Sequence, residues 1–278
     1  SNFAPVWRAF TKNPILTLND FRGKRICIRD ALFPLLPRMV YGMYYNMPLI
    51  PGCDQSGLFR AFNRHLLYHA RLPATEEQYD DQIIRVTFIA RQTQYRRVLN
   101  QEQLIATLER ELEARGDGAD KVVIQMVHFN HQIPFTDQMA ITSISDVLIG
   151  IHGAGLTHTL LQPDHGVLFE LYNCEDPECY RDLARLRGTQ YLTWRNRSKL
   201  EAIELDDSQA ADRRERGAAH AKFVNYRFDP HEFARLAIDA IDAARVRKQK
   251  STRHWWRRPM VVNVTSDKWQ VTTTHDEL

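Results

Sequence analysis

The chain has 278 residues, of which 44% are hydrophobic and 26% are charged, and its formal net charge is +3. This composition is ordinary for a soluble globular protein, and the length allows one large domain or parts of two. The small net charge gives no argument for a nucleic-acid partner. No run approaches the roughly 20 apolar residues that a membrane-spanning helix needs.

The first 80 residues show the least regular pattern. Prolines at positions 34, 37, 48 and 51 interrupt an aromatic-rich stretch, which is typical of irregular connecting structure. One helix is predicted within this region, over residues 58–70.

Regular structure is predicted from residue 83 onward. Residues 83–90, which are mostly apolar and rich in β-branched side chains, predict a strand, and a polar loop is expected over residues 91–99. Asn100 is predicted to cap the next helix, with Gln103 at the capping-box position. That helix is expected to end near Arg115, before a glycine-containing turn.

Strands and helices then alternate. Further strands are predicted over residues 121–127, 146–151, 166–172 and 190–194, and helices over residues 135–143 and 179–187. Gly188 closes the second of these helices. Such alternation predicts an α/β fold with an open, Rossmann-like parallel sheet.

A glycine-rich turn follows the strand at 146–151. Gly153 and Gly155 permit close backbone approaches, and a short helix from Leu156 to Leu161 would aim its free amide groups at the turn. The two interpretations are a phosphate cradle and a strand-to-helix turn without a ligand. The pattern alone does not favour either.

Strand ends strengthen the ligand interpretation. Ligands bind at the carboxyl ends of parallel strands, and Arg91, His152 and Tyr172 all fall at such ends. Arg96 and Arg97 follow in the first loop. Guanidinium groups fixed at a strand end can bind a diphosphate; the alternative is that these arginines are ordinary surface residues. Glu170 lies inside an apolar strand and therefore needs a partner, either a ribose diol or a nearby arginine. No Asp-x-Asp pair occurs in the chain, which weakens a metal-held diphosphate.

The C-terminal part is predicted to hold an exposed loop at 198–220, an amphipathic helix at 229–247 and a mobile tail at 248–278. The tail ends in the endoplasmic-reticulum retrieval tetrapeptide His275, Asp276, Glu277 and Leu278. It predicts a lumenal location and a KDEL-type retrieval receptor as a partner.

Other lumenal signals agree with this location. Asn196 and Asn263 begin acceptable N-glycosylation sequons. The four cysteines suit an oxidising lumen, and the pair Cys174 and Cys179 is favoured for a disulfide. Free thiols are the alternative, and four cysteines allow three pairings. No Cys-x-x-Cys spacing occurs, so no metal site is predicted.

The given sequence opens at Ser1 without Met and without an apolar signal core, so we expect it to be the C-terminal portion of a longer secretory protein. Residues 1–80 would be a connecting segment from an N-terminal acceptor lobe. Residues 81–247 would form a nucleotide-sugar-binding lobe, and residues 248–278 the tail.

Together these residues resemble glycosyltransferase family 61. The similarity covers roughly residues 27–235 and the last four residues. Its most specific pieces are 35–39, 46–50, 57–62, 89–91, 95–96, 99–100, 153–158, 169–176 and 182–188.

The resemblance implies the nucleotide-binding lobe of an inverting GT-B enzyme that moves N-acetylglucosamine from UDP-GlcNAc to Ser or Thr hydroxyls of folded EGF-like domains. It implies donor contacts from Arg91, Arg96, His152, Gly153, Ala154, Gly155, Thr157 and Glu170. The catalytic base is expected in the N-terminal lobe, and any divalent metal is left open. Alternatives are a family member acting on another glycoprotein and a non-catalytic nucleotide-sugar-binding protein.

Overall fold

The computed structural model describes residues 4–30, 57–72, 82–118, 121–205 and 220–253, and two short paired strands at 264–265 and 268–269. At its centre lies a five-stranded, fully parallel sheet. Its strands are Ile84–Ile89 (β1), Val122–Val127 (β2), Val147–Gly150 (β3), Val167–Glu170 (β4) and Gln190–Thr193 (β5). The predicted α/β class and all five predicted strands are confirmed.

Six α-helices accompany the sheet in the described residues. They are Ala4–Phe10 (α1), Gly57–His69 (α2), Gln101–Ala114 (α3), Phe135–Ser143 (α4), Cys179–Arg187 (α5) and Pro230–Arg253 (α6). Gly188 ends α5 in the left-handed conformation, with φ of 85°, as the sequence predicts. Helix α6 continues beyond the proposed start of the tail at residue 248, and the Lys248 side chain is buried and donates to the Ile83 carbonyl at 2.8 Å.

Both faces of the sheet are covered. On one face, α3 and α6 pack against β1, β3 and β4 through side chains such as Leu108, Phe233 and Ile241. On the other face, α5 and the 3₁₀ helix Ala154–Leu161 pack through Leu156 and Leu183. Burial on both faces explains why the inner strands β3 and β4 are apolar along nearly their whole length.

The strand order is β2-β1-β3-β4-β5. From β1 the chain first adds β2 on one side. It then crosses back and adds β3, β4 and β5 in turn on the other side of β1. In an open sheet of this order the crevice between β1 and β3 is the topological switch point, where ligands bind.

Three details differ from the sequence-based interpretation. Within the loop predicted at 198–220, Leu200–Ile203 forms a strand (β6) that pairs antiparallel with Asn225–Phe228 (β7). The helix after the glycine turn is a 3₁₀ helix and begins at Ala154, not Leu156. Asn100 precedes α3, but its side chain does not cap the helix.

The Asn100 side chain instead pairs with the backbone of Phe228. Its amide nitrogen donates to the Phe228 carbonyl at 2.8 Å, and its oxygen accepts from the Phe228 amide at 3.2 Å. Asn100 thus joins the start of α3 to the end of β7. A contact between residues 128 positions apart has no local sequence signal.

Candidate functional site

The switch point brings together the segments that follow β1 and β3. Ile89 and Gly150 are register partners on these adjacent strands, so Arg91 and His152 lie two residues past the same point of the sheet. The predicted convergence of strand-end residues is present here: Arg91 and Arg96 from the first loop meet His152 and Gly153 from the second.

Two guanidinium groups face the Gly153 backbone. A Cβ placed on Gly153 would overlap Nη1 of Arg91 and would lie 3.4 Å from Nη1 of Arg96. Gly153 has φ of +154°, which L side chains rarely adopt. The absence of a side chain at this position is therefore what allows the two arginines to approach the turn.

Each arginine is held by one neutral contact. Arg96 Nη1 donates to the His152 carbonyl at 2.8 Å, and Arg91 Nη2 donates to Thr93 Oγ1 at 3.0 Å. Burial and the neighbouring Arg96 charge lower the pKa of Arg91. Two partly buried like charges side by side repel each other, and an anion between them would relieve that repulsion.

Unsatisfied polar atoms mark the same edge. Six buried side-chain nitrogen or oxygen atoms of the described residues have no hydrogen-bond partner, and four of them lie here: Nε of Arg91, Nε of Arg96, Nδ1 of His128 and Oγ1 of Thr193. His128 directly follows β2, and Thr193 ends β5, so all four lie at the carboxyl end of the sheet. Buried polar groups in proteins are normally hydrogen-bonded, and this concentration indicates an edge built for a ligand.

Behind the turn lies a buried hydrogen-bonded group. Glu170 is fully buried, and its Oε1 accepts from His152 Nδ1 at 2.9 Å. The Tyr191 hydroxyl donates to Oε2. Burial raises the pKa of Glu170, and these two hydrogen bonds oppose that rise. Glu170 therefore has two partners, a histidine and a tyrosine, in place of the arginine considered from sequence. Each carboxylate oxygen accepts one of these hydrogen bonds.

A strained turn adjoins this group. Cys174 and Glu175 have φ of 48° and 63°, and the Asp176 amide closes the turn onto the Asn173 carbonyl at 3.0 Å. Arg96 also has a positive φ, of 59°. Left-handed backbone at non-glycine residues costs about 1–3 kcal/mol each and clusters at functional sites.

Asp176 joins the turn to its surroundings. Its Oδ2 accepts from Lys222 Nζ at 3.1 Å and lies 3.8 Å from His152 Nε2. The His152 ring therefore has a carboxylate on each side, with Glu170 at Nδ1 and Asp176 at Nε2.

The other predicted donor residues lie on or beside the 3₁₀ helix. Ala154 and Thr157 are exposed. A Cβ on Gly155 would contact only Ile89, at 3.4 Å, so a side chain there meets far less obstruction than at Gly153. Their contacts with a donor stay predictions.

Sequence reasoning missed several members of this edge, among them His128, Tyr191, Thr193 and Lys222. The first could have been found by the rule that selected Arg91 and His152, because it directly follows a predicted strand. Tyr191 and Lys222 carried no such signal, since their roles depend on strand neighbours that are distant in sequence.

The favoured disulfide is wrong: Cys174 and Cys179 are not bonded to each other. Cys174 packs in the core on the α3 and α6 face, whereas Cys179 packs on the α5 face. Five residues of sequence separation do not bring them together, because the sheet lies between their environments. Cys27 is a free, exposed thiol, and Cys53 lies outside the described residues.

Of the two predicted N-glycosylation sequons, the one at Asn196 lies within the described residues. Asn196 is exposed, and its side-chain oxygen accepts from Ser198 Oγ at 2.7 Å. Asn263 and the retrieval tetrapeptide lie outside the described residues. Within the described ranges, no helix is long and apolar enough to cross a membrane. In the same part of the chain, no group of three or more His, Cys, Asp or Glu side chains could hold a metal ion.

The fold is thus that of an open, parallel α/β protein, with two arginines at the switch point where such sheets bind ligands. Comparison with known families narrows this class: residues 32–169, which include Arg91, Arg96 and Gly153, match glycosyltransferase family 61. The chain belongs to glycosyltransferase family 61.

Several relatives share the name EGF domain-specific O-linked N-acetylglucosamine transferase. The one from Drosophila melanogaster is 46% identical over 242 residues, which are 87% of this chain and 43% of the relative. The one from Pan troglodytes is 42% identical over 277 residues, or 99% of this chain and 46% of the relative. The one from Gallus gallus is 46% identical over 237 residues, or 85% and 41%. The chain therefore spans less than half the length of these relatives.

Proposed function

We propose that this chain is the nucleotide-sugar-binding lobe of a GT-B glycosyltransferase. The whole protein would transfer N-acetylglucosamine from UDP-GlcNAc to Ser or Thr hydroxyls of folded EGF-like domains, with inversion at the anomeric carbon. The names of the relatives support the assignment of the EGF-like acceptor and of N-acetylglucosamine as the transferred sugar. The donor nucleotide and the stereochemistry come from the family resemblance.

The observation that carries the donor site is the approach of Arg91 and Arg96 to the Gly153 turn at the switch point. In the transfer, the acceptor oxygen bonds to the anomeric carbon as the bond to the diphosphate breaks. UDP leaves with the electron pair and gains negative charge. Two fixed guanidinium groups stabilise that charge, and amide groups at the start of the 3₁₀ helix would add donors.

The remaining parts of the proposal concern the whole protein. The base that removes the acceptor proton would come from the N-terminal lobe. The terminal His275–Leu278 sequence would be bound by a KDEL-type receptor, which would retain the protein in the endoplasmic-reticulum lumen. In that compartment the enzyme would encounter its proposed acceptors, the folded and disulfide-rich EGF-like domains.

Calorimetric titration of the chain with UDP, UMP and uridine tests the donor site. We expect UDP to bind at least about tenfold more tightly than uridine, since one charge-assisted hydrogen bond contributes about 1.5–3 kcal/mol. Arg91→Ala should remove most of this preference, whereas Arg110→Ala, at an exposed position of α3, should leave it intact. Equal affinity for uridine and UDP would exclude a diphosphate site at this edge.

A transfer assay tests the activity. The longer protein should transfer N-acetylglucosamine from UDP-GlcNAc to a folded EGF-like domain and not to its reduced, unfolded form. Transfer of a different sugar, or to a different class of glycoprotein, would reassign the substrate without removing the donor site.

A further inference from the structure

Glu170 combines complete burial with a place at the functional edge. It is the last residue of β4, beside the turn that Arg91 and Arg96 approach. A buried carboxylate is costly unless its oxygens are hydrogen-bonded, and here His152 Nδ1 and the Tyr191 hydroxyl satisfy one oxygen each. Because the side chain is fully buried, a donor substrate could reach Glu170 only if the residues packed around it moved.

His152 links Glu170 to the arginines. Its carbonyl accepts the hydrogen bond from Arg96 Nη1 at 2.8 Å, and its next residue is Gly153. Its ring is 4% exposed and meets the Tyr180 ring edge-on, with 5.1 Å between centroids. Any displacement of the ring would therefore shift both the acceptor of Arg96 and the backbone beside Arg91.

We infer that Glu170 is a positioning residue that acts through His152 and holds the Gly153 turn and Arg96 in place for a nucleoside diphosphate. The carboxylate accepts a hydrogen bond, so Nδ1 of His152 must carry the proton. That requirement fixes the orientation of the ring. Glu170 itself contacts no ligand. The choice of a nucleoside diphosphate as the ligand rests on the proposed function. The contacts of Glu170 with His152, and of His152 with Arg96, do not depend on that function.

The chain contains a matched control. Asp146 is also fully buried, and its Oδ1 is 2.6 Å from Nε2 of His165. It stands immediately before β3, at the amino end of the sheet, where its Oδ2 also accepts from the Arg85 amide at 2.7 Å. Both pairs join a buried carboxylate to a histidine, but they lie at opposite ends of adjacent strands. Asp146 also lies 3.5 Å from Nζ of the buried Lys248, an ion pair without a counterpart at Glu170 among the described residues, so Asp146→Asn should cost at least as much stability as Glu170→Gln.

The binding test compares Glu170→Gln with Asp146→Asn in the whole 278-residue chain. Each amide keeps the size of the side chain but offers one acceptor oxygen where the carboxylate offered two. At a temperature where circular dichroism shows both variants folded, we expect Glu170→Gln to weaken UDP binding by about 10- to 100-fold. Asp146→Asn should change the affinity by less than about threefold, because a loss of stability alone does not move a ligand site. Equal affinities for the two variants would overturn the inference.

A milder variant covers the case in which Glu170→Gln does not fold. Tyr191→Phe removes one hydroxyl from the same carboxylate and leaves the His152 contact in place. We expect UDP affinity to fall by about three- to tenfold. Wild-type affinity in this folded variant would contradict the positioning role.

A spectroscopic test does not depend on UDP. In chain labelled with ¹⁵N-histidine, the ring signals of His152, assigned with a His152→Asn variant, should show a protonated Nδ1 in the wild type. The signals should shift in Glu170→Gln and stay unchanged in Asp146→Asn. A wild-type Nδ1 without a proton would overturn the inference. If UDP fails to bind while this signature is present, the proposed function fails and the Glu170–His152 link stands.

Discussion

Nη1 of Arg91 occupies the space in which a side chain on Gly153 would begin. One residue is in the loop after β1 and the other in the turn after β3, so their contact exists only because these strands are neighbours in the sheet. The requirement for glycine at position 153 is thus imposed by an arginine, in addition to the backbone angle of +154°. This relationship makes Gly153 a sharper test of the site than Gly155.

Gly153→Ala is expected to displace Arg91 and to weaken UDP binding by about 10- to 100-fold, the equivalent of one lost charge-assisted hydrogen bond. Calorimetry and melting temperature should be measured together. Gly188→Ala is the control, because Gly188 ends α5 with a φ of 85° and stands just before β5, at the amino end of the sheet. There we expect a loss of stability of about 1–2 kcal/mol with UDP affinity unchanged. Native UDP affinity in Gly153→Ala would show that the turn is structural only.

Arg91→Lys is expected to bind UDP less well than the wild type although the charge is kept. A lysine presents a single ammonium group, whereas a guanidinium presents a fixed fork that matches two phosphate oxygens. The expected loss is about tenfold, smaller than for Arg91→Ala. If Lys restores full affinity, charge alone accounts for the contribution of this residue.

Acid stability should depend on His158. Its Nδ1 donates to the Gly155 carbonyl, its Nε2 lies 3.1 Å from Oε1 of Gln138, and its ring packs on Phe129 and Phe135. Burial lowers the pKa of His158 to about 4, although the hydrogen bond to Gly155 opposes that change. The unfolded chain takes up this proton near pH 6.5, whereas the folded chain does so only near pH 4, so stability falls as the pH falls between these values. Below about pH 4 the contribution is fully lost.

The lowered pKa of His158 should reduce the free energy of unfolding by about 3 kcal/mol between pH 7 and pH 4, because one pKa unit corresponds to about 1.36 kcal/mol. Urea denaturation of the wild type and of His158→Gln between pH 7 and pH 4 measures it. The free energy of unfolding of the variant should fall less steeply over this range. Parallel curves for the two proteins would show that His158 does not titrate differently on folding.

The buried cysteines should be unreactive in the folded chain. Burial raises the pKa of Cys174 to about 12, so little nucleophilic thiolate forms at pH 8. Iodoacetamide labelling followed by peptide mapping should modify Cys27, which is exposed, and spare Cys174 and Cys179 until denaturant is added. A disulfide-linked peptide that contains both residues would contradict the structure.

The sequence by itself determined the elements of the central sheet. Val147–Gly150 has no polar side chain, and Val167–Glu170 is apolar up to its last residue, because both faces of these parallel strands are covered. This pattern can be recognised within a few residues. The rule that ligands bind at the carboxyl ends of strands then selected Arg91 and His152 without coordinates. The same local reasoning placed Gly188 at the end of α5.

Only the tertiary structure decided which of these residues meet. The sequence required a partner for Glu170, but Tyr191 became that partner because β5 lies beside β4, and His152 because β3 lies on the other side. The pairing of Asn100 with Phe228 and the separation of Cys174 from Cys179 likewise depend on strand order and on the face of the sheet. Local sequence specifies the apolar period and the backbone angles of a segment, whereas the neighbours of a side chain are set by packing between segments far apart in the chain.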